Sequence, residues 1–139
     1  MAGGEGAHDY HMAKDVNTCG RVGYVEIDSG RIGGIGPAKR VADCAVAQGV
    51  ALLNHAFTSH LALSTSLQPY AELREHEICE YPFWLKPLAG DLTSDGLERE
   101  GDGYPRNPDS PALGIGINSE AARSYLVDAE MLRRPQMFL

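Results

Sequence analysis

An aspartate and a histidine stand at the ends of two apolar runs. Val22, Tyr24, Val25 and Ile27 form a β-prone run that stops at Asp28. Val50 to Leu53 form a second run, which stops at Asn54 and His55. An imidazole beside a carboxylate can move a proton, while the carboxylate holds its tautomer and raises its basicity. The plain alternative is structural: Asp28 caps the turn after it, and His55 bonds to backbone. Two further carboxylates are candidates for the same rim. Glu80 closes a third run, Glu77 to Tyr81, just before Pro82. Glu5 lies in Gly3-Gly4-Glu5-Gly6, and a carboxylate in a glycine-rich loop can hold a hard cation. Both glutamates read equally as solvated chain-end residues. His8, His11, His60 and His76 show no metal-ligand spacing and read as surface or helix-packing histidines. Gly30, Gly33, Gly34 and Gly36 precede a helix and could cradle a phosphate. Neither G-K-[ST] nor G-x-G-x-x-G occurs there, so a tight turn is the favoured reading of that loop.

The elements that must position these groups form a parallel unit. Between the two runs, Pro37 suits the first position of a helix. Val41, Ala42, Ala45 and Val46 recur at helical spacing, and Gly49 suits a C-terminal cap. Strand, loop, helix and strand make a βαβ unit. Asp28 and His55 then end neighbouring parallel strands, where α/β proteins keep their chemistry. The pattern predicts parallel strands over 22–28, 50–54 and 77–81, in that spatial order, with helices 37–48 and 60–71 on one face. A carboxylate oxygen of Asp28 is expected about 3 Å from a ring nitrogen of His55. Strands 22–28 and 77–81 are each expected to keep an open edge, which invites self-association. Tyr10, Met12, Ala13 and Val16 make a weak helical face. From Trp84 the chain is rich in Gly, Pro and Asp, and reads as turn and loop. Leu113 to Ile117 is expected as a short strand, and Ser119 as the cap of a last helix through Leu126.

The 139 residues suffice for one small domain. Apolar residues are 43% and charged residues 22%, ordinary for a soluble globular chain. The net charge of −7 and the lack of a basic run argue against nucleic acid as a partner. No apolar run nears the roughly 20 residues that span a membrane. The first residues, M-A-G-G-E-G-A-H-D, have neither a basic region nor an apolar core, so they are not a secretory signal. Cys19, Cys44 and Cys79 are odd in number and form no C-x-x-C pair, which points to reduced, buried thiols in a cytoplasm.

In order, G-G-E-G, V-E-I-D with G-R-I-G-G-I, N-H-A-F-T-S-H and H-E-I-C-E-Y-P resemble the enolase superfamily, and within it the mandelate racemase and acid-sugar dehydratase branch. The resemblance implies an α/β fold, the C-terminal part of a (β/α)₈ barrel of TIM type, with about three βα units and an irregular tail. It places the end of the fifth barrel strand through the eighth in residues 1–83, and a tail closing barrel and cap in 84–139. It implies Mg²⁺, which in the family stabilises the enolate formed when a proton leaves the carbon beside a carboxylate. Glu5 matches the third metal-binding carboxylate. Asp28 and His55 match the dyad after the sixth and seventh strands. Glu80 matches the acid after the eighth, which hydrogen-bonds the substrate carboxylate. From Glu5 to Asp28 is 23 residues and from Asp28 to His55 is 27, one βα unit each. D-S-P-A-L-G-I-G-I resembles the closing segment, usually P-G-L-G, with Ala112 where the glycine would stand.

The resemblance covers roughly residues 3 to 118. A whole barrel takes about 250 residues. The first two metal carboxylates and the lysine base of the second strand have no counterpart here. The chain therefore reads as a C-terminal fragment, or the product of a truncated gene, inactive alone and binding Mg²⁺ no better than millimolar. The implied substrate is a small carboxylic or sugar acid, and the implied full-length protein is a cytoplasmic homo-oligomer. Two other readings are a silent remnant that serves as an assembly partner, and a phosphate-binding βαβ domain.

Overall fold

The computed structural model describes residues 1–56, 58–70 and 78–127. Its centre is a parallel sheet of three strands: β1 (Ala2–Gly3), β2 (Tyr24–Ile27) and β3 (Ala51–Asn54). β2 lies in the middle, pairing Ala2 with Tyr24 on one side and Tyr24 with Ala51 on the other. Three helices follow the strands in turn: α1 (Tyr10–Cys19), α2 (Ile35–Ala47) and α3 (His60–Leu67), the last extended by a 3₁₀ turn, Gln68–Tyr70. Three βα units with a parallel sheet are the architecture of a partial barrel.

Local chemistry explains each boundary. Asp9 caps α1, its Oδ1 accepting from the N–H groups of His11 (2.8 Å) and Met12 (3.0 Å). Those two bonds, Met12 first, hold the Asp9 carboxyl below its ordinary value. The helix α2 begins at Ile35, so Pro37 falls two residues later than expected, still within the first turn, where no intrahelical N–H is needed. It ends in a Schellman turn. Gly49 takes φ +67°, and the N–H groups of Gly49 and Val50 reach the carbonyls of Val46 (3.0 Å) and Ala45 (2.9 Å).

Strand alternation sets the core. Val25, Ile27 and Leu52 turn to the helices and pack with Ala38, Val41, Ala42 and Ala45 of α2, all buried. A second, smaller cluster joins Ala56 and Leu63 to Leu97 of the tail.

Several expectations need correction. The open edge expected for 22–28 is covered over two residues by β1. Ile78 to Tyr81 form no ladder with β3; Glu77 lies outside the described residues. The side chain of Asn54 replaces the ladder, its Nδ2 donating to the Glu80 carbonyl and its Oδ1 accepting from the Glu80 N–H, both at 2.9 Å. A side chain in that slot excludes a neighbouring strand's backbone, and Pro82 lacks a donor to continue one. Leu113 to Ile117 is not a strand either. Ile117 makes one isolated bridge to Thr93, while the Leu113 carbonyl is taken by Ser64 Oγ at 2.6 Å. The loop-rich tail contains a short helix, α4 (Pro87–Asp91), beside the expected last one, α5 (Ser119–Ser124), which is capped by Asn118 rather than Ser119 and stops short of Leu126. Gln68 to Tyr70, expected as α-helix, tighten into the 3₁₀ turn at Pro69.

Candidate active site

Parity along the strands brings the candidate residues together. Val25 and Ile27 face α2, so Glu26 and Asp28 face the other side of the sheet. Leu52 is buried against α2 and Asn54 against Ser66 of α3, so His55 emerges on the side of Asp28. The ladder runs one residue beyond β3, the His55 N–H donating to the Ile27 carbonyl at 2.9 Å. That bond sets the two side chains next to each other. Asp28 Oδ2 lies 3.2 Å from His55 Nδ1, with the side chains 20% and 15% exposed.

Asp28 holds the turn as well as the histidine. Its Oδ1 accepts from the N–H groups of Gly30 (2.8 Å) and Arg31 (3.1 Å). Arg31 Nε stands 3.7 Å from Oδ2, on an exposed side chain. Two further loop amides also bond within the loop, Ile32 N–H to the Asp28 carbonyl and Gly34 N–H to the Ser29 carbonyl. These four bonds fold Asp28 to Gly34 into a tight turn. Both readings of Asp28 hold at once: one oxygen caps the turn, and the other orients an imidazole.

Glu80 reaches the same rim. Its Oε2 accepts from the Ala56 N–H at 2.8 Å, while Asn54 grips its backbone. Asn54 is 1% exposed and also donates to Ser66 Oγ at 3.1 Å. Glu26, which the sequence reading passed over, joins the group. Glu26, His55 and Glu80 each bring one potential ligand atom within 4.8 Å of the other two. Burial pushes the Glu26 carboxyl above its ordinary value; the charge of Glu80 adds to this, and His55 opposes it. The signal was present as E-x-D, since residues two apart on a strand share a face.

Glu5 stands apart from that group. It is exposed, in the turn after β1, and adds its negative charge to the field that raises Glu26. Its position depends on Gly4, which has φ +120° and packs so closely that an added Cβ would lie 2.9 Å from the Glu26 carbonyl. A carboxylate fixed at a strand end by such a close approach suits one oxygen ligand of a hard cation such as Mg²⁺. His60 is a packing histidine, its Nδ1 accepting from the Leu97 N–H at 3.2 Å. His8 and His11 are exposed, and His76 lies outside the described residues.

Comparison with known proteins gives the arrangement its context. The family of enolase C-terminal-domain-like proteins matches residues 1–122. The chain is 53% identical to a protein of Rhodobacter sphaeroides designated a predicted mandelate racemase, at a TM-score of 0.88, covering 91% of this chain and 32% of that one. A mandelate racemase/muconate lactonizing enzyme-like protein from Roseovarius sp. TM1035 is 25% identical, at a TM-score of 0.76, over 88% of this chain and 30% of that one. A mandelate racemase/muconate lactonizing enzyme from Jannaschia sp. CCS1 is 23% identical and shares the fold at a TM-score of 0.78, over 91% and 32%. The chain thus spans about a third of the length of each of these structures.

Proposed function

The chain belongs to the enolase superfamily, in its mandelate racemase and muconate lactonizing branch, and from that premise we propose that it carries the proton-transfer part of a site that removes the proton next to a carboxylate. Members of the superfamily are enzymes, racemases and dehydratases among them, and they generally use Mg²⁺. The observation that carries the reading is the 3.2 Å contact between Asp28 Oδ2 and His55 Nδ1, at the carboxyl ends of adjacent parallel strands.

The chemistry follows from that contact. Asp28 accepts from Nδ1–H, so the neutral ring has its lone pair on Nε2. Nε2 takes the α-proton from one face of the substrate, or returns a proton to a leaving hydroxyl group. Asp28 stabilises the imidazolium that forms, and its own position is fixed by the turn amides. Glu80 lies beside His55 and bonds the substrate carboxylate as negative charge grows there. The Ala56 N–H occupies Oε2, so Oε1 is the oxygen turned to the substrate. Glu5 is assigned as one ligand of Mg²⁺, with further carboxylates from outside this chain. When bound, the metal supplies positive charge to the developing enolate.

The substrate assigned is a small carboxylic or sugar acid. Residues 1–83 are assigned to the barrel and 84–139 to its closing tail. With one metal carboxylate, the chain by itself is assigned no turnover; the complete protein is assigned as a homo-oligomer of the cytoplasm. Among the described residues, no helix is long and apolar enough to cross a membrane.

A graft tests the reading. This chain would replace the matching third of the Rhodobacter sphaeroides protein, and α-proton exchange from acid substrates would be followed in deuterated water. His55→Asn should abolish exchange on one face while leaving substrate binding largely intact. Exchange at the unsubstituted rate on both faces would overturn the assignment.

A further inference from the structure

We propose that Glu26, His55 and Glu80 form a binding site for a divalent first-row transition ion of the Zn²⁺ and Co²⁺ class, distinct from the magnesium role assigned to Glu5. Three observations carry it. The donor atoms, two carboxylate oxygens and an imidazole nitrogen, already lie within 4.8 Å of one another. Bonds of about 2.0–2.2 Å to a common ion hold neighbouring ligands roughly 3–4 Å apart, so small side-chain rotations close the site. The mixed donor set selects the ion, because imidazole suits Zn²⁺ and its neighbours whereas Mg²⁺ prefers oxygen throughout.

The second observation lies outside the three ligands. Metal-binding histidines characteristically give their other ring N–H to a carboxylate, which fixes the tautomer and strengthens the donor nitrogen. Asp28 Oδ2 stands 3.2 Å from Nδ1 of His55, and this pairing makes Nε2 the nitrogen assigned to the ion. The third is that Glu80 is held in the same manner. The Ala56 N–H at 2.8 Å pins Oε2, and the two bonds from Asn54 pin its backbone. Two ligands of three are thus aimed by partners that are themselves part of the sheet end.

Glu26 completes the set from β2, one strand away from His55. It is half-buried on the same side, close enough to Glu80 for their charges to interact. A dication relieves that repulsion. Occupancy takes the lone pair of Nε2, so a bound transition ion and proton transfer by His55 exclude each other.

The test uses the chain as it is, stripped of metal. Co²⁺ is titrated in, followed by visible absorption and calorimetry, with Mg²⁺ in a parallel titration. One Co²⁺ should bind with a micromolar dissociation constant, and Mg²⁺ at the same concentrations should not compete. Glu26→Gln should weaken Co²⁺ binding at least about tenfold, and Asp28→Asn by about 10–100-fold through the lost partner. Glu5→Gln, which removes a charge but no ligand, should weaken binding far less than Glu26→Gln. Far-UV circular dichroism checks that each variant is folded. Paramagnetic broadening of the His55 ring signals by Co²⁺ in the unsubstituted chain tests the ligand without any substitution. The proposal is overturned if the His55 signals stay sharp at saturation, or if a cysteine thiolate band shows that Cys79 or another thiol holds the ion. It is equally overturned by binding that needs millimolar Co²⁺, or that is indifferent to Glu26→Gln.

Discussion

Asn54→Ala is the substitution whose cost the structure specifies most fully. Asn54 is 1% exposed, and its amide makes three bonds across 12 to 26 residues of chain: two to the backbone of Glu80 and one to Ser66 Oγ. A buried hydrogen bond contributes about 1 kcal/mol net, so the three together are worth about 3 kcal/mol. Two corrections pull in opposite directions. Removing the amide leaves the Glu80 N–H and carbonyl without their partner, which costs more than the net value where water cannot reach. Against this, Glu80 is half-buried and can recover water, and Ser66 Oγ keeps its 2.7 Å bond to the Leu63 carbonyl. The expected loss is about 2–4 kcal/mol, a large part of the roughly 5–15 kcal/mol that holds a domain. Urea unfolding would measure it, with an unchanged slope showing that the native and unfolded states stay comparable. Amide exchange would localise it, since the Glu80 and Ala56 N–H groups should lose protection before β2 does. Asn54→Asp keeps the acceptor for the Glu80 N–H but sets a carboxylate against the Glu80 carbonyl, so it should not rescue. A loss below about 1 kcal/mol, or full protection of the Glu80 amide in the alanine variant, would show that Asn54 does not fasten this segment.

Gly4→Ala meets both φ +120° and a 2.9 Å clash with the Glu26 carbonyl, so it should cost about 1–3 kcal/mol in urea unfolding; a neutral result would refute the close approach that positions Glu5. Ala112 sits at φ +61°, in the left-handed region that favours glycine. Ala112→Gly should raise the melting temperature, because relief of about 1–2 kcal/mol of left-handed strain exceeds the roughly 0.5–1 kcal/mol entropic cost of glycine. Glu26 has a raised carboxyl pKa in the folded chain, from burial first and the Glu80 charge second. Its protonated form is the favoured one, so its contribution is present below the ordinary value of 4.5 and is lost as pH rises through the folded value. Glu26→Gln should therefore be more stable than the parent at pH 7, with the gap closing near pH 4; a gap that stays constant with pH would sink this account.

What could be read from the sequence was local. The alternation of V-Y-V-E-I-D and the apolar run before Asn54 specify two strands and their parity. Pro37 and Gly49 bracket the helix between them. Those features alone place Asp28 and His55 side by side, because a right-handed parallel crossover leaves few other arrangements. Where side chains took over from backbone, the pattern misled. Ile78 to Tyr81 have the composition of a strand, yet the pairing surface offered to them is the Asn54 amide. A lone Asn at the end of an apolar run gives no sign that it will mimic a peptide group. β1 was invisible for a different reason: two small residues, Ala2 and Gly3, carry no periodicity, and only the partner strand reveals them.

The tail shows the same limit in its connections. Gly, Pro and Asp announce turns, but not that Ser64 Oγ will hold the Leu113 carbonyl or that Tyr81 Oη will hold the Leu97 carbonyl at 2.7 Å. These bonds link residues 16 to 49 positions apart, and neither end has a distinctive motif. The consequence for the site is a division of labour. The Asp28–His55 contact is set within one βαβ unit, by a ladder bond and a turn, and needs nothing from the tail. Glu80 instead arrives through a side-chain bridge to Asn54, in a segment that the Leu63, Tyr81 and Leu97 cluster packs in place. Loosening that cluster should therefore displace Glu80 while leaving the dyad intact. The two halves of the site have separate structural supports, even though all their side chains end within one rim.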